Sequence, residues 1–181
     1  EMINIFDTQL ANSFLVNEDS ISYQALVEKK LGITLEKKET RSNWIKRPLT
    51  EAQLKYAALD VEYLIYLYLE QREELKRTGK LEWTIQDTER LKKTIFHPDT
   101  SFVELKRTLP RAQENELLAR LNKVVESIAA KENINSTLFF SKKTQKEFLR
   151  HILIEGIEGA CEEITNWRSS LIKDELYQLL R

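Results

Sequence analysis

A long helix around residues 56–69 limits what this chain can fold into more than any other feature. Thr50 followed three residues later by Gln53 is typical of a capping box, so we predict a helix that begins at residue 51. A Thr-Gly pair predicts its end after about residue 77. The apolar centre of this helix contains one carboxylate, Asp60, and a buried carboxylate without a partner is costly. The helix therefore raises the question of what Asp60 binds.

The rest of the chain is also predicted to be mainly α-helical. Four Gly and three Pro among 181 residues leave few breaks, so helix should dominate. We predict a helix after Ser22 that ends at Gly32, another over residues 81–96, and helix almost throughout after Pro110. The run INIF is the exception, because its β-rich composition predicts a short strand at residues 3–6.

Composition excludes some classes of protein without identifying one. The single cysteine, Cys161, rules out an internal disulfide and is typical of a reducing compartment, so we expect a cytoplasmic protein. No apolar run approaches the length of a membrane span, so we expect no membrane partner. The net charge of −1 points to no partner by itself, and the oligomeric state stays open.

One segment, residues 28–47, is strongly basic. It carries seven basic and three acidic side chains, which gives it a net charge of +4. These charges could contact nucleic-acid phosphates, or the segment could be a solvated loop, and the sequence does not decide between them. Trp44 lies in the same segment and is interpreted as an anchor packed under the loop rather than a platform for stacked bases. The candidate phosphate contacts are Lys37, Lys38, Arg41, Lys46 and Arg47.

Tyr56 and Asp60 are four residues apart, so they share one face of the predicted helix. In one interpretation, Asp60 simply accepts a hydrogen bond from the backbone or from the Tyr56 hydroxyl. In the other, Asp60 is a ligand of a hard cation such as Mg²⁺, and Tyr56 orients a water that attacks a phosphate. The spacing alone leaves both open.

The sequence segments around Tyr56 and Asp60 resemble those of a known family. SYQALVEKKLG and TRSNWIKRPLTEAQLKYAALDVEYLIYLY resemble the third exonuclease motif of ribonuclease D, of the tyrosine subclass of DEDD-class 3′–5′ exonucleases. NIFDTQLANSFL looks like the strand and helix before it, so the resemblance covers residues 1–96. It implies the C-terminal part of an α/β ribonuclease-H-like domain, with Asp60 as the last metal-binding carboxylate and Tyr56 positioning the attacking water. It also implies two divalent ions, Mg²⁺ or Mn²⁺, and RNA as substrate, namely transfer RNA precursors.

The final part of the chain is similar to a second family domain. LARLNKVVESIAAKENINSTLFFSKKTQKEFLRHI and ITNWRSSLIKDELYQLL resemble the helical HRDC-like domain of ribonuclease D. The predicted organisation is therefore an exonuclease portion at 1–96, a linker at 97–112 and an HRDC-like domain at 113–181.

The resemblance is incomplete where the family holds its metal ions. The family uses four carboxylates, and its Asp-x-Glu motif does not occur ahead of the segment seen here. Asp7 is interpreted as a helix cap rather than a replacement ligand. The only Met is at position 2, so we expect a fragment that is inactive alone. The alternative is a non-catalytic nucleic-acid-binding or interaction module.

Overall fold

The computed structural model describes residues 4–18, 20–35, 39–96 and 109–180. In these ranges the chain is helical, as the sequence predicts, and no described residue lies in a strand. The helices are α1 (Thr8–Leu15), α2 (Tyr23–Leu31), α3 (Glu51–Glu62), α4 (Leu64–Arg77), α5 (Leu81–Phe96), α6 (Arg111–Lys131), α7 (Ser136–Phe140), α8 (Lys142–Glu162) and α9 (Asn166–Leu179).

The predicted strand at residues 3–6 is wrong for the part that the structure describes. Residues 4–6 are irregular, because a strand needs the hydrogen bonds of a neighbouring strand and the described chain offers none. Asp7 instead caps α1: its carboxylate accepts hydrogen bonds from the backbone N–H of Gln9 at 2.8 Å and of Leu10 at 3.0 Å. The interpretation of Asp7 as a cap is confirmed.

The single helix predicted from residue 51 is broken in two at Tyr63. The capping box between Thr50 and Gln53 is present, and Gly79, with φ at 72°, follows the end of α4 as predicted. Leu59 and Tyr63 pack against a small apolar cluster that contains Leu67. Tertiary packing on both sides of the break, rather than helix propensity, therefore explains where α3 ends.

The described residues form two apolar clusters. The small one joins α2 to α4, with Leu26, Val27, Leu35 and Leu67 buried in it. The large one contains buried residues from α1 and α4 together with those of α6, α8 and α9. One hydrophobic core is thus shared between the first and the second half of the chain.

Trp167 is at the centre of this shared core. Its ring stacks on Trp83 of α5 with the centroids 4.9 Å apart, and it meets Phe14 of α1 edge-on at 5.4 Å. Trp167 and Cys161 are both buried in this core. Burial also raises the pKa of the Cys161 thiol.

Two local features shape the helical second half. Ser141 caps α8 by accepting a hydrogen bond from the Thr144 N–H at 3.1 Å. Gly156 interrupts α8 with φ at 80° and ψ at 175°, a conformation that is almost exclusive to glycine. α8 therefore bends before it reaches Ala160 and Cys161 in the core.

α3 and α4 expose an apolar face. Leu54, Val61, Ile65 and Leu69 are each more than half exposed, at 55%, 62%, 55% and 54%.

None of the helices placed by the structure is both long and apolar enough to cross a membrane.

Candidate functional site

Tyr56 and Asp60 lie half-buried on the same side of α3, which the capping box holds against the preceding loop. The Gln53 side chain donates to Ser42 Oγ at 3.0 Å and to the Asn43 carbonyl at 3.2 Å. One glutamine thus caps the helix and fixes the loop at residues 39–50 beside it.

The Tyr56 hydroxyl is hydrogen-bonded to Thr40 Oγ1 at 3.1 Å, and its ring lies 5.9 Å from that of Trp44. Trp44 is anchored in turn, because its indole N–H donates to the Glu39 carbonyl at 3.0 Å. These contacts favour the anchor interpretation of Trp44. They also show that the Tyr56 hydroxyl bonds a loop residue rather than Asp60.

The Asp60 carboxylate accepts no hydrogen bond from the part of the chain that the structure describes. No hydrogen bond or ion pair to Asp60 occurs among residues 4–18, 20–35, 39–96 and 109–180. Leu59, the residue directly before Asp60, accepts a hydrogen bond at its carbonyl from the hydroxyl of Tyr23 in α2, at 3.0 Å. Burial raises the pKa of Tyr23, and the negative charge of Asp60 raises it further.

Tyr23 and Thr40 are neighbours of the site that sequence reasoning missed. They lie 36 and 16 residues from their hydrogen-bond partners Leu59 and Tyr56. No periodicity or spacing rule connects residues at such separations, so these two hydrogen bonds could not be predicted from local patterns.

Some basic side chains of residues 28–47 are already paired with carboxylates, and others are exposed. Lys29 pairs with Glu18 at 2.5 Å, and Lys30 pairs with Glu70 at 2.9 Å. Exposed Arg41, Lys46 and Arg47 make no ion pair with a carboxylate of the described residues. Arg41, Lys46 and Arg47 thus supply exposed positive charge near Trp44, while the other two candidates, Lys37 and Lys38, lie outside the described residues.

The Arg47 side chain is oriented by its own loop. Its guanidinium donates to the carbonyls of Trp44 at 2.7 Å and of Lys46 at 3.1 Å. Ile45 lies between them with 91% of its surface exposed. The loop therefore presents charged and apolar groups to solvent from a backbone that Trp44 and Gln53 hold in place.

The residues that the structure describes do not form a complete metal site. They contain no group of three or more His, Cys, Asp or Glu side chains that could hold a metal ion. One carboxylate cannot neutralise two divalent ions, so Asp60 alone does not fit the two-ion centre that the resemblance implies.

The first part of the chain is similar to a known class of nucleases. Residues 1–76 match the family model of a 3′–5′ exonuclease domain. This segment, which contains both Tyr56 and Asp60, is therefore related to 3′–5′ exonucleases.

The relatives within this class are ribonuclease D proteins. Ribonuclease D of Xanthomonas oryzae pv. oryzae is 42% identical over 95 residues, which are 52% of this chain and 26% of that protein. Ribonuclease D of Nitrobacter hamburgensis is 34% identical over 133 residues, which are 72% of this chain and 35% of that protein. The resemblance to ribonuclease D is confirmed, and the chain spans about a quarter to a third of the length of these relatives.

A solved structure shares the fold of nearly the whole chain. A protein from Bifidobacterium adolescentis superposes with a TM-score of 0.74, covering 97% of this chain and 72% of that protein at 17% identity. The arrangement of helices in both halves is therefore one that occurs in a crystal structure.

Proposed function

We propose that residues 1–96 belong to a ribonuclease-H-like α/β domain of a 3′–5′ exoribonuclease that trims the 3′ ends of transfer RNA precursors in the cytoplasm. Asp60 is its last metal-binding carboxylate, and Tyr56 positions the attacking water. The observation that carries the proposal is the Tyr56–Asp60 pair on one face of α3, inside the segment that matches a 3′–5′ exonuclease model. The carboxylate oxygens of Asp60 accept no hydrogen bond from the described residues, which is consistent with a cation ligand.

The basic loop supports RNA as the partner. Arg41, Lys46 and Arg47 are exposed and precede α3 directly, so they can hold phosphates of a strand whose 3′ end lies near Tyr56. Phosphate contacts of this kind carry no sequence preference, which suits an enzyme that removes any terminal nucleotide.

The ions would be Mg²⁺ or Mn²⁺, because carboxylate oxygens are the ligands that these hard cations prefer. We propose that the remaining ligands come from polypeptide other than the described residues, so this chain alone is inactive. The helical part at 113–181, which follows a linker at 97–112, is proposed to be an HRDC-like auxiliary domain for RNA.

The second candidate is a non-catalytic RNA-binding or interaction module. It is favoured by one observation, that the described residues lack a cluster of metal-binding side chains. The two candidates differ in whether Asp60 attracts a divalent ion at all.

Mn²⁺ binding followed by NMR separates them, because a paramagnetic ion broadens the signals of nearby amides. We expect weak broadening around Asp60 in the whole chain, its loss in Asp60→Asn, and its retention in Glu62→Gln, which changes an exposed carboxylate of the same helix. Equal broadening in all three proteins would show that Asp60 is not a ligand and would favour the non-catalytic module.

Trimming of a 5′-labelled transfer RNA precursor with Mn²⁺ tests the completeness of the site. We expect no shortening by the chain alone. Shortening that Asp60→Asn abolishes would support the role of Asp60 and contradict the claim that the site is incomplete.

A further inference from the structure

A cavity of about 120 Å³ lies between α5, the turn from α7 to α8 and the start of α9. None of its lining residues belongs to α3 or to the loop at 39–50, so it is separate from the Tyr56–Asp60 site. This volume can hold several water molecules, since a single water needs about 10–15 Å³. Its polar side chains are Arg90, Thr137, Ser141, Thr144, Thr165 and Arg168.

Arg168 forms one wall of the cavity, and its charge is already matched. Its guanidinium donates to both carboxylate oxygens of Asp87, to Thr165 Oγ1 at 2.8 Å, and to the carbonyls of Leu138 and Phe139 at 2.7 Å each. All five N–H groups of an arginine are thereby used. Arg168 therefore shapes the cavity but has no donor left for a ligand.

Arg90 supplies a positive charge that no carboxylate of the described residues matches. It is exposed, and no carboxylate of the described residues pairs with it. The lining residues that the structure describes include no carboxylate either. Among the residues that the structure places, two arginines thus face one cavity with one counter-charge, Asp87, which is paired with Arg168.

The positive charge of Arg90 affects the pKa of Arg168. Burial lowers the pKa of Arg168, and the positive charge of Arg90 lowers it further against the opposing effect of Asp87. An anion in the cavity would relieve this repulsion.

Hydroxyl groups complete the donor set. Thr165 Oγ1 accepts from Arg168, so its own hydrogen is free to donate. Ser141 and Thr144 share one hydrogen bond of 2.8 Å between their hydroxyls, which leaves one hydroxyl hydrogen over. Thr137 also lines the cavity and is an exposed residue.

We propose that this cavity binds a phosphate group, with Arg90 as the charged donor and the hydroxyls of Thr137, Thr144 and Thr165 as neutral donors. A phosphate offers several strong acceptor oxygens, and an arginine fork matches them with two parallel hydrogen bonds. The group comes either from a nucleic-acid strand or from a free phosphate or mononucleotide. The proposal is independent of the exonuclease assignment, because no residue of α3 takes part.

The test is a titration of the whole chain with inorganic phosphate at constant ionic strength, followed by amide NMR shifts. We expect saturable shifts at residues 137–144 and 165–168, and an affinity at least about tenfold weaker in Arg90→Ala, since that variant lacks the charged donor to the phosphate. Lys93→Ala is the matched control: it removes one charge from the same exposed side of α5 without touching the cavity, and it should bind like the wild type.

Two further titrations, with a mononucleotide 5′-phosphate and with a single-stranded RNA lacking terminal phosphates, distinguish the sources. Shifts of the same amides by the RNA, lost in Arg90→Ala, support a strand phosphate. Shifts by phosphate and mononucleotide alone support a free or terminal phosphate. No saturable shift at these amides, or equal affinities in Arg90→Ala and Lys93→Ala, would overturn the proposal.

Discussion

The buried ion pair between Asp87 and Arg168 gives the sharpest prediction, because it joins α5 to α9 across the shared core. Both side chains are almost fully buried, with 2% of Asp87 and 5% of Arg168 exposed. The pair is bidentate, and the Trp167 indole N–H also donates to Asp87 at 3.2 Å. We predict that Asp87→Asn destabilises the fold strongly although it preserves the shape of the side chain.

The magnitude follows from the charge that remains. An arginine cannot lose its proton inside a protein, so Asp87→Asn leaves a buried cation without a counter-charge. Removing one partner of such a pair costs about 3–5 kcal/mol, a large part of a total stability of about 5–15 kcal/mol. The cation–π contact, with Arg168 Cζ 4.3 Å from the Trp167 ring centroid, persists and does not compensate.

Urea denaturation followed by circular dichroism measures this loss. Asp174→Asn is the control, because Asp174 is an exposed carboxylate on α9 and its substitution should change stability by no more than about 0.5 kcal/mol. The double variant Asp87→Leu with Arg168→Met removes both charges, so it should lose at least about 2 kcal/mol less than the sum of its single variants. A loss below about 1 kcal/mol in Asp87→Asn would refute the reasoning, since a buried uncompensated cation cannot be that cheap.

Two other predictions concern Lys80 and the exposed face of α3 and α4. Lys80 is buried and donates to the Phe14 carbonyl at 3.0 Å, and burial lowers its pKa. Because the unfolded state then binds more protons, stability should rise with pH between the lowered folded pKa and the unfolded value of about 10.4. The rise should be smaller in Lys80→Met when both proteins are unfolded by urea across that range, and equal slopes would contradict it. On the exposed face, Val61→Lys with Ile65→Lys should reduce concentration-dependent association in sedimentation velocity with little loss of stability, because both side chains are more than half exposed. Glu62→Lys is the control for added charge, and unchanged association in the double variant would argue against this face as the contact.

Local signals in the sequence predicted much of the secondary structure. The caps at Asp7 and Thr50 and the stops at Gly32 and Gly79 are confirmed, because each depends on hydrogen bonds or backbone angles within a few residues. Four-residue spacing likewise placed Tyr56 and Asp60 on one helix face. The predicted roles of these two residues stay predictions.

What only the tertiary structure decided lies at long sequence separation. The break at Tyr63 depends on a cluster shared with α2, and the Tyr56 hydroxyl bonds a loop residue that no pattern indicated. The pairing of Asp87 with Arg168 joins residues 81 positions apart. The sequence specifies such contacts only through the packing of whole helices, because side chains far apart in the chain meet where apolar faces are buried together. Short-range hydrogen bonds could therefore be read from the residues, whereas the shared core, the neighbours of Asp60 and the arginine-lined cavity required the folded chain.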